Sequence, residues 1–219
     1  MSNPAPHIYL IPGLGADHRV FKNLDFKGLS HTTIEWIVPL EKETLVDYSH
    51  RLLKQVKHPK PILIGMSLGG MIAIEFSKLI GTSQVVIISS LKSRKEMPFY
   101  FKVAAWCGLQ KLFTKRRLVS SMGIFYWLFG LSTSSEKSLL NKIIADTDEH
   151  FLLWAMNALL HWEGKASPVP IFHIHGDIDR IIPVHFVTAN AIIKDGSHFM
   201  IINKAPEISQ LLRQFFLRR

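Results

Sequence analysis

The chain has 219 residues, 47% of them apolar, which suits one substantial α/β domain or a domain carrying a sizeable insertion. Its formal charge is +9, but eight basic residues against Glu96 alone lie between Lys92 and Arg117, so +7 of the +9 belongs to one segment and the rest is nearly neutral. No DNA- or RNA-binding module with interleaved aromatics and no zinc pattern accompanies that segment, so nucleic acid is excluded as an expected partner.

The opening residues, MSNPAPHIYL, have neither a basic start nor an apolar run of about seven or more, so no secretory signal is visible and a cytoplasmic location is expected. Residues 7 to 11 predict a short strand ending in Pro12-Gly13-Leu14-Gly15, where two glycines permit close backbone approach. Asp17 is placed to cap a helical turn through Arg19, Val20 and Phe21. A second strand is predicted from Thr32 to Val38, closed by Pro39. The helix after it runs from about Thr44 to Lys57, with Leu45, Val46, Leu52, Leu53 and Val56 on one face, and Pro59 and Pro61 prevent its extension.

Next comes Pro61-Ile62-Leu63-Ile64-Gly65-Met66-Ser67-Leu68-Gly69-Gly70, an apolar run that stops in G-x-S-x-G-G. It reads as a strand, a sharp turn and a helix through Met71, Ile72, Phe76 and Leu79, halted at Gly81. Gln84 to Ile88 predict another fully covered parallel strand. Strand and helix alternate to this point, a doubly wound α/β pattern. At Leu91 the rhythm breaks.

From 91 to 165 the chain is basic, aromatic and helical in period, with Phe99, Phe101, Trp106, Phe113, Trp127, Phe151, Trp154 and Trp162 among its aromatics. Such an insertion suggests a helical cap over the strand ends, dividing the chain into a core of 1–90 and 166–219 and a cap of 91–165. The uncharged stretch from Leu118 to Ser135 is too broken to be a convincing transmembrane span; burial under the cap is expected, with membrane-interface contact as the alternative. The cap's basic side chains read first as a solvated face. Cys107 has no cysteine partner and reads as a buried thiol. The α/β style resumes with Ile171 to Ile174 and the turn His175 to Pro183. A last strand near Ala191 to Lys194 ends in Asp195-Gly196-Ser197-His198, and a closing helix starts at Pro206.

Ser67, Asp179 and His198 each fall in a loop directly after an apolar strand. In a parallel sheet those strand ends share one edge, where ligands bind. A serine hydroxyl needs a base to take its proton, histidine suits that task near neutral pH, and a carboxylate fixes the imidazole tautomer. Asp177 is the alternative acid, with a turn-forming role as its competing reading; Asp195 reads as a turn residue and His175 as a packing histidine. Donors for a tetrahedral oxyanion would be the backbone amide of Leu68 and one from the Gly13-Leu14 region. No H-E-x-x-H, no C-x-x-C and no third glycine of a dinucleotide fingerprint is present, so neither a metal nor a cofactor is expected.

With these residues in place the chain resembles the α/β-hydrolase family. The Pro12-Gly13-Leu14-Gly15 turn stands where that family has its His-Gly oxyanion loop; the G-M-S-L-G-G elbow, the H-G-x-x-D-x-x-x-P turn at His175 to Pro183 and the G-x-H at Gly196 to His198 follow in its Ser, Asp, His order. Proline replaces the usual histidine in the first motif, and the family's early antiparallel strands have no room before residue 7. The resemblance implies a serine hydrolase cleaving an ester or thioester through an acyl-enzyme at Ser67, with Asp179 and His198 completing the triad. The aromatic cap suggests a small-molecule substrate with an apolar acyl or alcohol part. A carbon–carbon bond hydrolase, perhydrolase or acyltransferase would keep the same triad, and a ligand receptor on this scaffold is the non-enzymatic alternative. Nothing in the sequence sets the oligomeric state.

Overall fold

In the structure, a computed structural model, residues 6–82, 84–108 and 115–217 are described. Lys111 and Phe113 of the basic aromatic segment, and the first five residues, lie outside the described residues. Six strands, β1 (Ile8–Ile11), β2 (His31–Thr33), β3 (Ile62–Met66), β4 (Gln84–Ile88), β5 (Ile171–Gly176) and β6 (Ala191–Ile193), pair in the order β2-β1-β3-β4-β5-β6, every pair parallel.

Alternate side chains of the central strands serve two cores. Ile8, Leu10, Ile62, Ile64, Val86 and Ile88 face one side of the sheet, with Val20 and Phe21 and the closing helix through Ile208 and Leu212. Tyr9, Ile11, Leu63, Val85 and Ile87 face the other, against α1 (Leu45–Leu52) and α2 (Leu68–Leu79). Cover on both faces explains why these strands are continuous apolar runs, not alternating ones. Both cores also receive residues from the segment between β4 and β5. That segment holds α3 (Phe99–Trp106), α4 (Lys115–Ser120), α5 (Met122–Phe129), α6 (Ser134–Asp146) and α7 (Glu149–Leu160), and no strand among its described residues. Leu140 and Ile143 of α6 join the first core, while Phe151, Trp154 and Ala158 of α7 join the second. The chain ends in α8 (Met200–Asn203) and α9 (Ala205–Leu217).

Two elements are shorter than their periodicity predicts. β2 stops at Thr33, and after a final ladder bond from Ile34 N–H to the Leu10 carbonyl the chain leaves the sheet. The Tyr48 hydroxyl then takes over both backbone groups of Ile37, and Trp36 turns its indole onto the Ala16 carbonyl, so the apolar run 34–38 packs as a loop. α1 ends at Leu52 in a tight turn over Leu53–Gln55, and Val46 lies on its exposed side. α2 closes at Leu79 through an extended Ile80, with Gly81 outside the helix and its φ not positive.

One backbone approach decides how β3, α2 and β1 meet. A Cβ on Gly69 would overlap the carbonyl oxygens of Ile11 and Pro12, and one on Gly65 would overlap the Gly69 carbonyl. Gly69→Ala is therefore expected to lose about 3 kcal/mol or more of stability in urea unfolding, whereas Gly81→Ala, with open space around it, should stay within about 0.5 kcal/mol of the parent.

Candidate active site

Ser67 stands between β3 and α2 with φ 50° and ψ −120°, a conformation that costs a non-glycine residue about 1–3 kcal/mol. Hydrogen bonds hold it there on three sides. Its N–H donates to the Ile88 carbonyl at 2.9 Å, and its own carbonyl accepts from Gly70 N–H at 2.9 Å and from the Ser90 hydroxyl at 2.6 Å. Gly70 leaves the room that Ser90 occupies, since a Cβ there would run into the Ser90 side chain. Ser90 was not singled out from sequence; its only signal is a second serine closing the strand that neighbours the elbow.

Asp179 and His198 come from different loops, and a glycine pair lets those loops touch. A Cβ on Gly176 would overlap the Gly196 carbonyl, and Ile178 N–H donates to that same carbonyl at 3.0 Å. The two turns thus travel as one unit. Asp179 Oδ1 accepts from the N–H groups of Ile181 at 2.9 Å and Ile182 at 2.8 Å, while Oδ2 accepts from His198 Nδ1 at 2.8 Å. With its Nδ1 proton committed to the carboxylate, the neutral imidazole presents Nε2 as acceptor, and Ser67 Oγ lies 3.1 Å from it. Asp177 instead accepts from Gly196 N–H at 3.2 Å, and Asp195 sits in the left-handed region with φ 54°. Both are turn residues of the unit that carries Asp179 and His198.

Electrostatics keeps the carboxylate ionised. Burial alone would raise the Asp179 pKa, but the adjacent His198, its hydrogen bond and that from Ile182 N–H more than offset burial and hold the group below its ordinary range. Behind it, His175 belongs to β5, fully buried, with Nε2 donating to the Ile182 carbonyl at 2.8 Å and lying 3.5 Å from Asp179 Oδ2. His175 Nδ1 then accepts from His173 Nε2 at 3.1 Å, and His173 Nδ1 has no partner among the described residues. Burial pushes the His173 pKa down to about 3, helped by His175 and Lys92.

In front of Ser67 lies a cavity of about 440 Å³, within the range of small-molecule sites. Leu14, Met66, Met71, Phe125, Leu140 and Leu159 are among the apolar side chains that line it, and Ser67 and His198 open onto it. Leu68 is the first residue of α2, so its N–H has no intrahelical acceptor. Gly13 lies against Ser67, where an added Cβ would sit 3.4 Å from the serine Cβ. The structure therefore brings Gly13, Leu14, Leu68, Ser67, Asp179 and His198 to one edge of the sheet.

The intervening helices fasten onto all three loops of this edge. The Thr147 hydroxyl, 2.6 Å from the Ile143 carbonyl one turn back, also reaches the Gly15 carbonyl at 3.0 Å, and the Tyr100 hydroxyl donates to the Ile181 carbonyl at 2.8 Å. Phe129 stacks edge-on against His198 with centroids 5.5 Å apart, its carbonyl accepts from Phe199 N–H at 3.3 Å, and Gly130 packs directly on Ser197. Among the described residues, no cluster of three or more His, Cys, Asp or Glu side chains could hold a metal.

Solved structures superpose on nearly the whole chain. An esterase from Thermogutta terrifontis superposes with a TM-score of 0.73 at 12% identity, over 97% of this chain and 90% of that one. A hydrolase from Oleispira antarctica gives 0.76 at 14% identity over 99% and 93%, and a bromoperoxidase from Bacillus anthracis 0.72 at 18% identity over 99% and 93%. The chain has the α/β-hydrolase fold. A family model described as "Uncharacterised protein family (UPF0227)" matches residues 19–105, which include the elbow, and no curated protein sequence matches the chain.

Two expectations about this α/β-hydrolase-fold protein are corrected. Cys107 is exposed, not buried, because α3 turns its last turn outward. Trp127, in the stretch expected to be buried under the cap, also faces outward, as do Phe99 and Trp106 of α3. No helix among the described residues is long and apolar enough to cross a membrane.

The buried histidine has a measurable consequence. The unfolded chain takes up a proton at His173 near its ordinary 6.5, while the folded chain resists down to about 3, so stability should fall as pH drops through that window. Asp179, held below its ordinary 3.8, adds a further loss only below that value. Urea midpoints recorded against pH are expected to decline from about 6.5 downward in the parent, with a shallower decline in His173→Gln.

Proposed function

We propose that the protein is a serine hydrolase acting on an ester or thioester with an apolar acyl or alcohol part, through an acyl-enzyme at Ser67. The observation that carries this reading is the unbroken relay from Ser67 Oγ through His198 to Asp179, opening onto an apolar cavity. The fold shared with an esterase and a hydrolase of low identity supports the same class.

The chemistry follows from the polarity of each group. Ser67 Oγ attacks the carbonyl carbon while its proton passes to His198 Nε2, and Asp179 stabilises the imidazolium that forms. The amides of Leu68 and Leu14 would receive the oxyanion, and losing one such donor costs about 2.7–4 kcal/mol. Collapse of the tetrahedral species returns the His198 proton to the leaving alkoxide or thiolate. Water, deprotonated by the same imidazole, then releases the acid and restores Ser67. The cavity contributes binding that grows with apolar length, about 0.8 kcal/mol for each buried methylene.

A panel of p-nitrophenyl esters tests this. kcat/KM is expected to rise by roughly fourfold for each methylene added beyond acetyl until the cavity is filled. Asp179→Asn should lower kcat by about ten-thousandfold. Asp177→Asn should leave kcat within a few fold, because an asparagine oxygen can still accept from Gly196. Turnover retained by Ser67→Ala would contradict the reading, and turnover of no ester at all would favour a ligand-binding role.

A further inference from the structure

Two of the helices that wall the cavity, α3 and α5, carry apolar side chains on their outer faces as well, and those outer side chains are exposed. Tyr100, Phe101 and Ala104 of α3 line the cavity, as do Leu118 of α4 and Phe125 of α5. On the outer face of α3, Phe99, Val103 and Trp106 stand at i, i+4 and i+7, one continuous stripe, with Trp106 88% and Phe99 67% exposed. Val119 of α4 and Ile124 of α5 are exposed in the same way, and Trp127 of α5 is exposed on the side that the Arg180 guanidinium, 4.7 Å over its ring, leaves open. A helix apolar all round belongs in surroundings that cover it all round.

The charge beside these faces says what covers them. Lys102 lies one turn from both Phe99 and Trp106, Arg116 lies one turn before Val119, and both are exposed. The lone acid of the basic segment does not answer them. Glu96 turns inward, accepting from the backbone N–H of Lys92 at 2.7 Å and of Thr188 at 3.0 Å. An isologous contact with a second copy would set such a basic face against its own image. An anionic lipid surface meets both requirements, since tryptophan and phenylalanine settle at the headgroup boundary and lysine and arginine pair with the headgroups.

We propose that the outer faces of α3, α4 and α5 form a lipid-docking surface, seating the protein on anionic membranes with the cavity wall at the headgroup boundary. Docking is independent of turnover, and Ser67→Ala should bind as the parent does. An apolar substrate dissolved in the bilayer would then need to pass only these helices to reach Ser67.

Co-sedimentation of the whole chain with phosphatidylcholine–phosphatidylglycerol vesicles tests this. Binding is expected at low salt, weaker at high salt and weaker on pure phosphatidylcholine. Lys102→Glu with Arg116→Glu should weaken it by about thirtyfold or more. The Phe99→Glu, Trp106→Glu double variant should abolish it while keeping the parent's circular dichroism and its turnover of a short soluble ester. In the unsubstituted protein, brominated lipid should quench tryptophan emission, a readout that needs no variant. A chain that stays in the supernatant at low salt, double variants that bind like the parent, or a solution dimer dissolved by the Phe99 and Trp106 substitutions would each overturn the proposal.

Discussion

The approach of α2 to β1 across bare backbone is the constraint on which the rest of the molecule depends. At Gly65 and Gly69 there is room for no Cβ, because the carbonyls of Ile11, Pro12 and Gly69 already fill that space. Only with that contact closed can β3 turn directly into α2, and only then is Ser67 forced to positive φ with its side chain off the end of the sheet. The strain at Ser67 is maintained by backbone bonds to Ile88 and Gly70 and by the Ser90 hydroxyl. Pre-organisation of this kind is set during folding.

A second close approach repeats the logic at the other side of the site. Gly176 and Gly196 bring the loops after β5 and β6 into backbone contact, which places Asp179 2.8 Å from His198 although they are nineteen residues apart in sequence. The helices between β4 and β5 then bind each of the three loops through Thr147, Tyr100 and Phe129. They shape the cavity and also clamp the polar residues at its floor.

Much of this was legible in the chain because it is local. The apolar runs of β1, β3, β4 and β5 advertise parallel strands buried on both faces, and the G-x-S-x-G-G sequence carries its own turn geometry. Ser67, Asp179 and His198 each follow an apolar strand, which is why sequence alone already places them at one sheet edge. What was not legible is non-local. The run from Ile34 to Val38 has strand composition, yet Tyr48 and Ala16 compete for its polar groups and pull it out of the sheet. Ser90 gains its importance only when β4 pairs with β3. The outward aromatics of α3 and α5 look like core residues in sequence, because periodicity reports that a face is apolar without reporting what it meets.

The central claim is that one serine, held at a strained elbow, is the nucleophile. Mass mapping of the covalent adduct formed with a fluorophosphonate addresses it most directly. The account predicts a single adduct on the peptide containing Ser67 in the folded protein and none after denaturation. Absence of an adduct in the folded protein, or an adduct on a different serine, would contradict it.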